Sequence, residues 1–227
     1  MDKELLKNIH NRTHFYENVE SLATHLDKFC REGETTVFHE MLSLDFHLDV
    51  YYINRKEDNF NMLITSGMSL LKMQVPEDLE DKEDYSFAEL MLLIPKKLDF
   101  EEIHTGEEKN GWIISMLKET ARFPHHYDTW LSFGHTLQQT ADLQPYHPDT
   151  EFVGCAILPS VTFDEEFTEF YSADKKINLY SLFPLYKDEL EYKIKNGYSK
   201  FMDVLAEANA AEIFNPKREN LVTNKRL

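Results

Sequence analysis

Three side chains near the first predicted strand are of the types that bind metal ions. Asp45, His47 and Asp49 are two positions apart, so in an extended chain they project from one face. Two carboxylates and an imidazole could chelate a divalent cation there. A solvated or hydrogen-bonded strand face accounts for the same spacing, which forms easily by chance in a chain with 41 acidic residues. We therefore predict an ordinary strand face and no metal ion.

Other motifs of catalytic chemistry are incomplete. His39-Glu40 begins like a zinc-protease helix, but Ser43 occupies the position of the required second histidine. The segment Ser66-Gly67-Met68-Ser69 lacks the flanking glycines of a hydrolase nucleophile, and Cys155 lies in an apolar run that predicts a buried, unreactive thiol. The seven glycines are scattered and predict no phosphate-binding loop. These residues predict neither an enzyme nor a cofactor.

One short segment concentrates negative charge. It contains a single lysine and six carboxylates, and it lies between two apolar segments: Glu77, Asp78, Glu80, Asp81, Glu83 and Asp84. Such a segment cannot bury itself, so we predict an exposed loop. Its carboxylates are our candidate binding residues for a basic partner, and the alternative is a solvated linker without a binding role.

Composition limits the class of protein. The chain has 227 residues, 42% of them apolar, which is enough to build a real core. With 24 basic and 41 acidic residues its formal charge is −17, which argues against nucleic acid or an anionic membrane as the main partner. Two cysteines, no signal peptide and no bilayer-length apolar run favour a reducing, cytoplasmic location.

The elements that must position these residues follow from apolar spacing. The first thirty residues predict a helix that ends near Gly33. Phe46 to Tyr52 and Asn61 to Thr65 predict a strand pair, and Phe87 to Ile94 predicts a buried strand that Pro95 stops. Their polar connections predict turns between these strands.

The second half of the chain mixes helices and strands. A helix that begins at Trp112 must end or kink at Pro124. Short strands are predicted in three β-rich segments: Thr129 to Thr136, Phe152 to Leu158 and Ile177 to Phe183. A long helix is predicted from near Pro184 through Leu205, with Gly197 on its apolar stripe, where the absent side chain would permit close packing.

Together these elements predict an α+β fold with a mixed, mostly antiparallel sheet. An N-terminal helix, a middle helix and a long C-terminal helix would flank that sheet. The predicted organisation is an N-terminal helical segment over residues 1–34 packed on a domain over residues 35–220, followed by a flexible tail over residues 221–227.

Several short segments follow one another in a specific order and spacing between about residue 35 and residue 220: Leu63 to Ser69 with Met73 and Pro76, Ala88 to Met91, Leu93 to Pro95, Leu117 with Ala121 to Pro124, Asp128 to Leu131, Gly134 to Thr136, and Phe183 to Tyr186 with Glu189 and Leu190. In order and spacing they resemble the bacterial branch of the suppressor-of-fused domain family. The residues that match the family motif are His47, Asp49, Thr65, Gly67, Met68, Ser69, Glu89, Arg122, Trp130, Gly134, His135, Thr136, Pro184 and Glu189.

This resemblance implies a protein-binding module without a catalytic set. It implies that a bacterial member is an immunity protein, one that neutralises a polymorphic or contact-delivered toxin, with a basic toxin domain as its partner. Animal members of the family restrain a transcription factor, so a regulator that sequesters such a partner is one alternative. A second is a metal-dependent hydrolase that uses His47, Asp49, Glu89 and His135.

The motif residues also have structural interpretations. Gly67 would supply a positive φ at a turn, and Met68 and Met73 would fill irregular gaps in the core. Trp130 would bury a large ring. His135 would be a hydrogen-bonded histidine, unless a carboxylate lies beside it as in an enzyme.

Overall fold

The computed structural model describes residues 19–30, 34–40, 46–98, 101, 103 and 110–223. In these residues eight strands form one sheet: β1 Thr35–Phe38, β2 Asp49–Ile53, β3 Phe60–Ser66, β4 Ala88–Pro95, β5 Thr136–Gln138, β6 Phe152–Leu158, β7 Glu169–Ser172 and β8 Lys175–Tyr186. The helices are α1 Trp112–His126, α2 Glu165–Thr168, α3 Lys187–Asn196 and α4 Tyr198–Glu207, with 3₁₀ turns at Met68–Leu70 and Lys82–Tyr85. Residues 19–26 are also helical.

The long strand β8 joins the two halves of the sheet. The strand order is β1-β2-β3-β4-β8-β6-β5, and every neighbouring pair is antiparallel except β4 with β8. Asn178 of β8 pairs with Ala88 of β4 and also with Glu169 of β7. Strand β8 therefore has β4 on one side, and β7 followed by β6 on the other.

The central strands are buried on both faces, which explains why they read as continuous apolar runs. Leu63 and Leu92 pack with Leu117 of α1 in one core cluster. Their strand neighbours Met62 and Leu93 pack in a second cluster with the helical residues 19–26 on the opposite face. The predicted α+β class, the mostly antiparallel sheet and the docking of the middle helix on it are confirmed.

The segment from Thr129 to Thr136 was predicted as β-rich, and this prediction is wrong except at its end. Residues 129–135 are not in a strand, although Gly134 and His135 form backbone hydrogen bonds with Ile157 of β6, and β5 begins only at Thr136. Gly134 has a φ of 86°, which marks the turn into that edge. Helix α1 itself continues two residues past Pro124 and ends at His126.

The C-terminal helical region is two helices and not one. Strand β8 extends to Tyr186, so Pro184 lies in a strand, and α3 and α4 are separated at Gly197. Gly197 has φ 87° and ψ 173°, a conformation essentially restricted to glycine. The expected close packing at Gly197 is also wrong, because no atom lies within 4 Å of a Cβ placed there.

The two ends of the chain are described only in part. Leu22 and Leu26 are buried in the helical residues 19–26, whereas the rest of the predicted first helix, and its predicted end at Gly33, lie outside the described residues. The amide of Leu221 donates to Glu189, so contacts with the domain extend into the predicted tail. The domain limits remain predictions. Across the described residues, no helix has both the length and the apolar character that crossing a bilayer requires.

Replacing Gly197 with alanine tests the break between α3 and α4. In one continuous helix, Gly197→Ala would raise the free energy of unfolding by about 1 kcal/mol. With the backbone at φ 87°, we expect it to fall by about 1–3 kcal/mol instead. Urea denaturation measures the sign. Ser199→Ala, at an exposed position of α4, is the control and should change stability by less than about 0.5 kcal/mol. A more stable G197A protein would contradict the break.

Candidate functional site

Glu89 carries a carboxylate that is buried within the sheet. Its oxygens accept hydrogen bonds from the hydroxyl of Thr65 at 2.7 Å, and from the hydroxyl and amide of Ser69 at 2.7 and 3.0 Å. The amides of Gly67 and Met68 donate to it at 2.9 and 3.3 Å. Burial raises the pKa of the Glu89 carboxyl, and the bonds from Ser69, Thr65 and Gly67 limit that rise. The motif segment after β3 is thus wrapped around one carboxylate.

Gly67 makes that wrapping possible. It has a φ of 132°, which confirms the predicted turn with positive φ. A Cβ at this position would lie 2.2 Å from the carbonyl oxygen of His47, so the turn touches the backbone that leads into β2. Met68 and Met73 are buried in the core, as predicted. The carbonyl of Met68 also lies 3.1 Å from Nε2 of His125 in α1.

Asp49 is the centre of a second polar group, at the start of β2. Strands β1 and β2 pair Phe38 with Val50, so His39 lies directly across from Asp49. Nδ1 of His39 is 3.0 Å from Oδ2 of Asp49, and Nε2 of His47 is 2.9 Å from Oδ1. His39 and His47 therefore share one buried carboxylate. Asp45, the third residue of the predicted strand face, lies outside the described residues.

Helix α1 contacts the same region through Arg122. Its guanidinium donates to Glu40 at 2.6 Å and lies 5.5 Å from the centre of the Phe46 ring. Glu40 in turn accepts from the amide of Leu48 at 3.1 Å. Eight of the fourteen motif residues thus gather where β2, β3, β4 and the end of α1 meet, and we call them the first motif corner: His47, Asp49, Thr65, Gly67, Met68, Ser69, Glu89 and Arg122.

The second motif corner is organised by Glu189 at the start of α3. This carboxylate is fully buried and accepts from the amide of Tyr186 at 3.0 Å, which caps the helix. Arg218 donates to its two oxygens at 2.5 Å each. The Arg218 guanidinium also lies 4.8 Å from the centres of the Phe183 and Tyr186 rings. One arginine thus neutralises the carboxylate and covers the aromatic surface beside it.

Pro184 and Lys193 complete this corner. The carbonyl of Pro184 accepts a hydrogen bond from Arg218 at 2.7 Å. At this residue β8 pairs with β6 on one side only, and the carbonyl faces the other side. Proline has no N–H to donate, and on the unpaired side this removes no hydrogen bond of the sheet. Lys193 donates to the carbonyl of Gly134 and to the hydroxyl of Thr136. Helix α3 therefore holds both the C-terminal segment and the turn that leads into β5.

His135 and Trp130 contact each other at the edge of this corner. Nδ1 of His135 is 3.3 Å from the carbonyl of Trp130, and the rings meet edge to face at 4.8 Å. Both residues are only half-buried, so the Trp130 ring is less buried than predicted. Burial lowers the pKa of His135 below its ordinary 6.5, the bond to the Trp130 carbonyl opposes this, and the nearby Lys193 lowers it further.

The structure does not assemble the hydrolase set predicted as an alternative. Among the described residues, the group that could hold a metal ion is His39, His47 and Asp49. Glu89 is engaged by the turn after β3, and His135 belongs to the other corner. A site that uses all four predicted residues is therefore not formed.

The acidic segment is exposed, as its composition indicates. All six carboxylates are at the surface, around the 3₁₀ turn Lys82–Tyr85. Three of them form ion pairs within the described part of the chain: Glu77 with Lys82, Glu83 with Lys72 at 2.7 Å, and Asp84 with Lys176 at 3.9 Å. The negative charge that is available to a partner is therefore concentrated at Asp78, Glu80 and Asp81.

Two concave surfaces lie away from the motif residues, whereas a third, of about 440 Å³, has Tyr186 and Arg218 of the second motif corner in its wall. One, of about 710 Å³, lies between the helical residues 19–26 and β7, with His25 and Tyr171 in its wall. The other, of about 200 Å³, is an apolar groove between the sheet and α4, with Val161, Phe183 and Met202 in its wall.

Sequence reasoning missed the pairing of His39 with Asp49, and it missed Lys193 and Arg218 as parts of the second motif corner. The position of His39 could have been predicted if residues 35–38 had been recognised as a strand. An antiparallel pair of that strand with β2 places His39 across from Asp49. For Arg218 there was no signal in the sequence, because its partner Glu189 lies 29 positions earlier and is reached only through the tertiary fold.

A model of the family described as "Suppressor of fused protein (SUFU)" matches residues 45–219. No curated protein sequence matches the chain. Among solved structures, a SUFU homolog from Neisseria gonorrhoeae superposes with a TM-score of 0.64 at 14% identity, covering 91% of this chain and 97% of that one. A chain of the Sufu–Fu complex gives 0.62 at 13% identity, with coverage of 92% and 93%.

Drosophila Suppressor of Fused superposes with a TM-score of 0.61 at 12% identity. The match covers 92% of this chain but only 52% of the Drosophila protein. At these identities the structural matches establish a shared fold. The family match and the fold agree over most of the domain described above.

Removing Arg218 should destabilise the fold strongly. Arg218→Ala leaves the Glu189 carboxylate, whose side chain is 0% exposed, buried without a counter-charge, and loss of one partner of such a pair costs about 3–5 kcal/mol. Chemical denaturation measures the loss. Lys187→Ala is the control, because Lys187 and Glu191 are exposed and 3.9 Å apart, and it should change stability by less than about 0.5 kcal/mol. Equal effects of the two substitutions would contradict the role of Arg218.

The fold should favour the neutral form of His135. Because its pKa lies below 6.5 in the fold, the unfolded chain takes up a proton first as the pH falls. The contribution of His135 to stability is therefore complete above pH 6.5 and is lost as the pH falls from there towards the lower folded pKa. Unfolding free energies of the wild type and His135→Asn, measured from pH 8 to pH 5, should converge as the medium becomes acidic. A constant difference would contradict this assignment.

Proposed function

This chain belongs to the suppressor of fused family, and from that premise we propose that it is a non-enzymatic protein-binding module of the cytoplasm. More specifically, we propose an immunity protein that neutralises a polymorphic or contact-delivered bacterial toxin. A chain of the same fold occurs in the Sufu–Fu complex, which is an assembly of proteins. That precedent supports protein binding as the general activity.

The observation that carries the proposal is the exposed acidic segment with incomplete charge compensation. Asp78, Glu80 and Asp81 are exposed, and the lysines beside the segment pair with Glu77, Glu83 and Asp84 instead. A carboxylate that stabilises the fold is buried and hydrogen bonded, as Glu89 is. These three carboxylates have no such role, so they are available to a partner.

A basic toxin domain is the partner whose chemistry complements this surface. A chain with a net charge of −17 attracts a basic surface at a distance. Attraction of this kind raises association rates and falls with ionic strength, because salt screens it beyond about 10 Å. A nuclease toxin has a basic active-site surface, and an acidic loop seated on it would exclude the nucleic acid substrate.

A regulator that sequesters a partner peptide is a second candidate, supported by the open edges of the sheet. Within the described residues, β1 pairs only with β2, and β5 pairs only with β6. An extended peptide could add a strand to either edge through backbone hydrogen bonds. This binding would depend on the edge strand and not on the acidic segment.

Co-expression tests the toxin proposal. The candidate partner is the product of a reading frame that neighbours this gene and encodes a large secreted protein. The immunity role predicts that the product arrests growth when expressed alone, that co-expression of this chain restores growth, and that the two proteins co-purify. Growth arrest that this chain does not relieve would contradict the proposal.

Neutralising the three available carboxylates should slow association with the partner. We expect the triple variant Asp78→Asn, Glu80→Gln and Asp81→Asn to associate with the partner at least about tenfold more slowly than the wild type at low salt. Its dissociation rate should change less. Asp81 has a φ of 53°, which asparagine tolerates, so the fold is preserved. Stopped-flow mixing with the partner gives both rates.

A charge-matched variant controls for net charge. Glu165→Gln, Asp174→Asn and Asp203→Asn remove the same three charges from exposed positions elsewhere. This control should associate at close to the wild-type rate. Equal slowing of both triple variants would assign the effect to net charge, and unchanged rates in both would contradict electrostatic steering.

A further inference from the structure

The cluster of His39, His47 and Asp49 has the ligand types and spacing of a metal centre. One ligand atom from each residue can be chosen so that all three lie within 4.8 Å of one another. The nearest nitrogen–oxygen separations are 2.9 and 3.0 Å. Ligands on a tetrahedral zinc ion, with bonds of about 2.0–2.2 Å, are separated by about 3.3 Å. Small side-chain movements would therefore bring all three to bonding distance.

Neighbouring hydrogen bonds hold the carboxylate in place. The amide of Glu40 donates to Oδ1 of Asp49 at 2.9 Å. The Glu40 side chain accepts from the amide of Leu48 and from Arg122, so it ties the backbone after β1 to the backbone before β2. Metal centres depend on this kind of support, because it orients the ligands before the ion binds.

The side chains of the cluster become more exposed from the carboxylate to the two imidazoles, and an open metal centre needs such access to solvent. The Asp49 side chain is 7% exposed, that of His47 is 37% exposed and that of His39 is 70% exposed. The carboxylate thus lies on the protein side of the cluster, and the two imidazoles lie on its solvent side. Neither histidine fills a core position, so packing does not account for two imidazoles on one carboxylate.

We propose that His39, His47 and Asp49 bind a single Zn²⁺ ion, with the remaining coordination position open to water. Two imidazoles and one carboxylate are a set of protein ligands that zinc uses when it keeps an open position. A hard cation such as Mg²⁺ prefers oxygen ligands and fits this set poorly. The ion would join the end of β1 to the start of β2. Zinc binding by this cluster does not depend on which protein the chain binds.

Calorimetric titration of the chelator-treated full chain with ZnCl₂ tests the proposal. We expect one saturable binding event per chain, and a rise in melting temperature when zinc is added, because the ion binds the folded state. His39→Ala and His47→Ala should each weaken binding by at least about tenfold, since even supporting residues contribute that much. Substitution of Co²⁺ should give the visible absorption of a site with nitrogen ligands, and His39→Ala should abolish it.

The control variant is His147→Ala. His147 also stands beside a carboxylate, with Nδ1 at 3.7 Å from Asp149, but no second histidine is grouped with it in the described structure. H147A should bind zinc like the wild type. His39 is largely exposed, so His39→Ala keeps the fold, and unchanged circular dichroism verifies this. The absence of saturable binding, or equal affinities in H39A, H47A and H147A, would overturn the proposal and leave only imidazole–carboxylate hydrogen bonds.

Discussion

The carboxylate of Glu89 lies in the centre of the sheet, where β3 and β4 are buried on both faces, so its partners come from the protein itself. An unpaired carboxylate there would cost several kcal/mol or more. Thr65, Gly67 and Ser69 meet this requirement through hydroxyl and backbone donors, and they do so only because the chain turns sharply after β3. The geometry of that turn then dictates where His47 and the end of α1 can lie.

Glu189 poses the same problem at the other end of the domain, and the chain solves it differently. A cation, Arg218, pairs with this carboxylate, and the pairing fastens the C-terminal segment to α3. The two corners together contain the motif residues, and their shared chemistry is the satisfaction of buried polar groups. In this chain the motif residues of the two corners thus hold strands, helices and the C-terminal segment together.

Sequence patterns predicted the strands well where burial alone determines structure. Phe152–Leu158 is observed with the predicted bounds because its continuous apolar run could only be an interior strand. Gly197 was misinterpreted because apolar spacing continues across it, although the backbone there leaves the helical region. The contact of His39 with Asp49 was not predicted because it depends on the register between β1 and β2, which local spacing does not contain. Contacts that depend on the finished fold are beyond local patterns.

Protein synthesis delivers the strands in an order that differs from their order in the sheet. Strands β1 to β4 are consecutive neighbours and can pair as they emerge from the ribosome, whereas β4 must wait for β8 to cover its second edge. That edge belongs to one of the most apolar segments of the chain, and an open apolar edge invites pairing with another molecule. The time between the synthesis of β4 and that of β8 therefore determines how long the open edge of β4 can pair with another molecule.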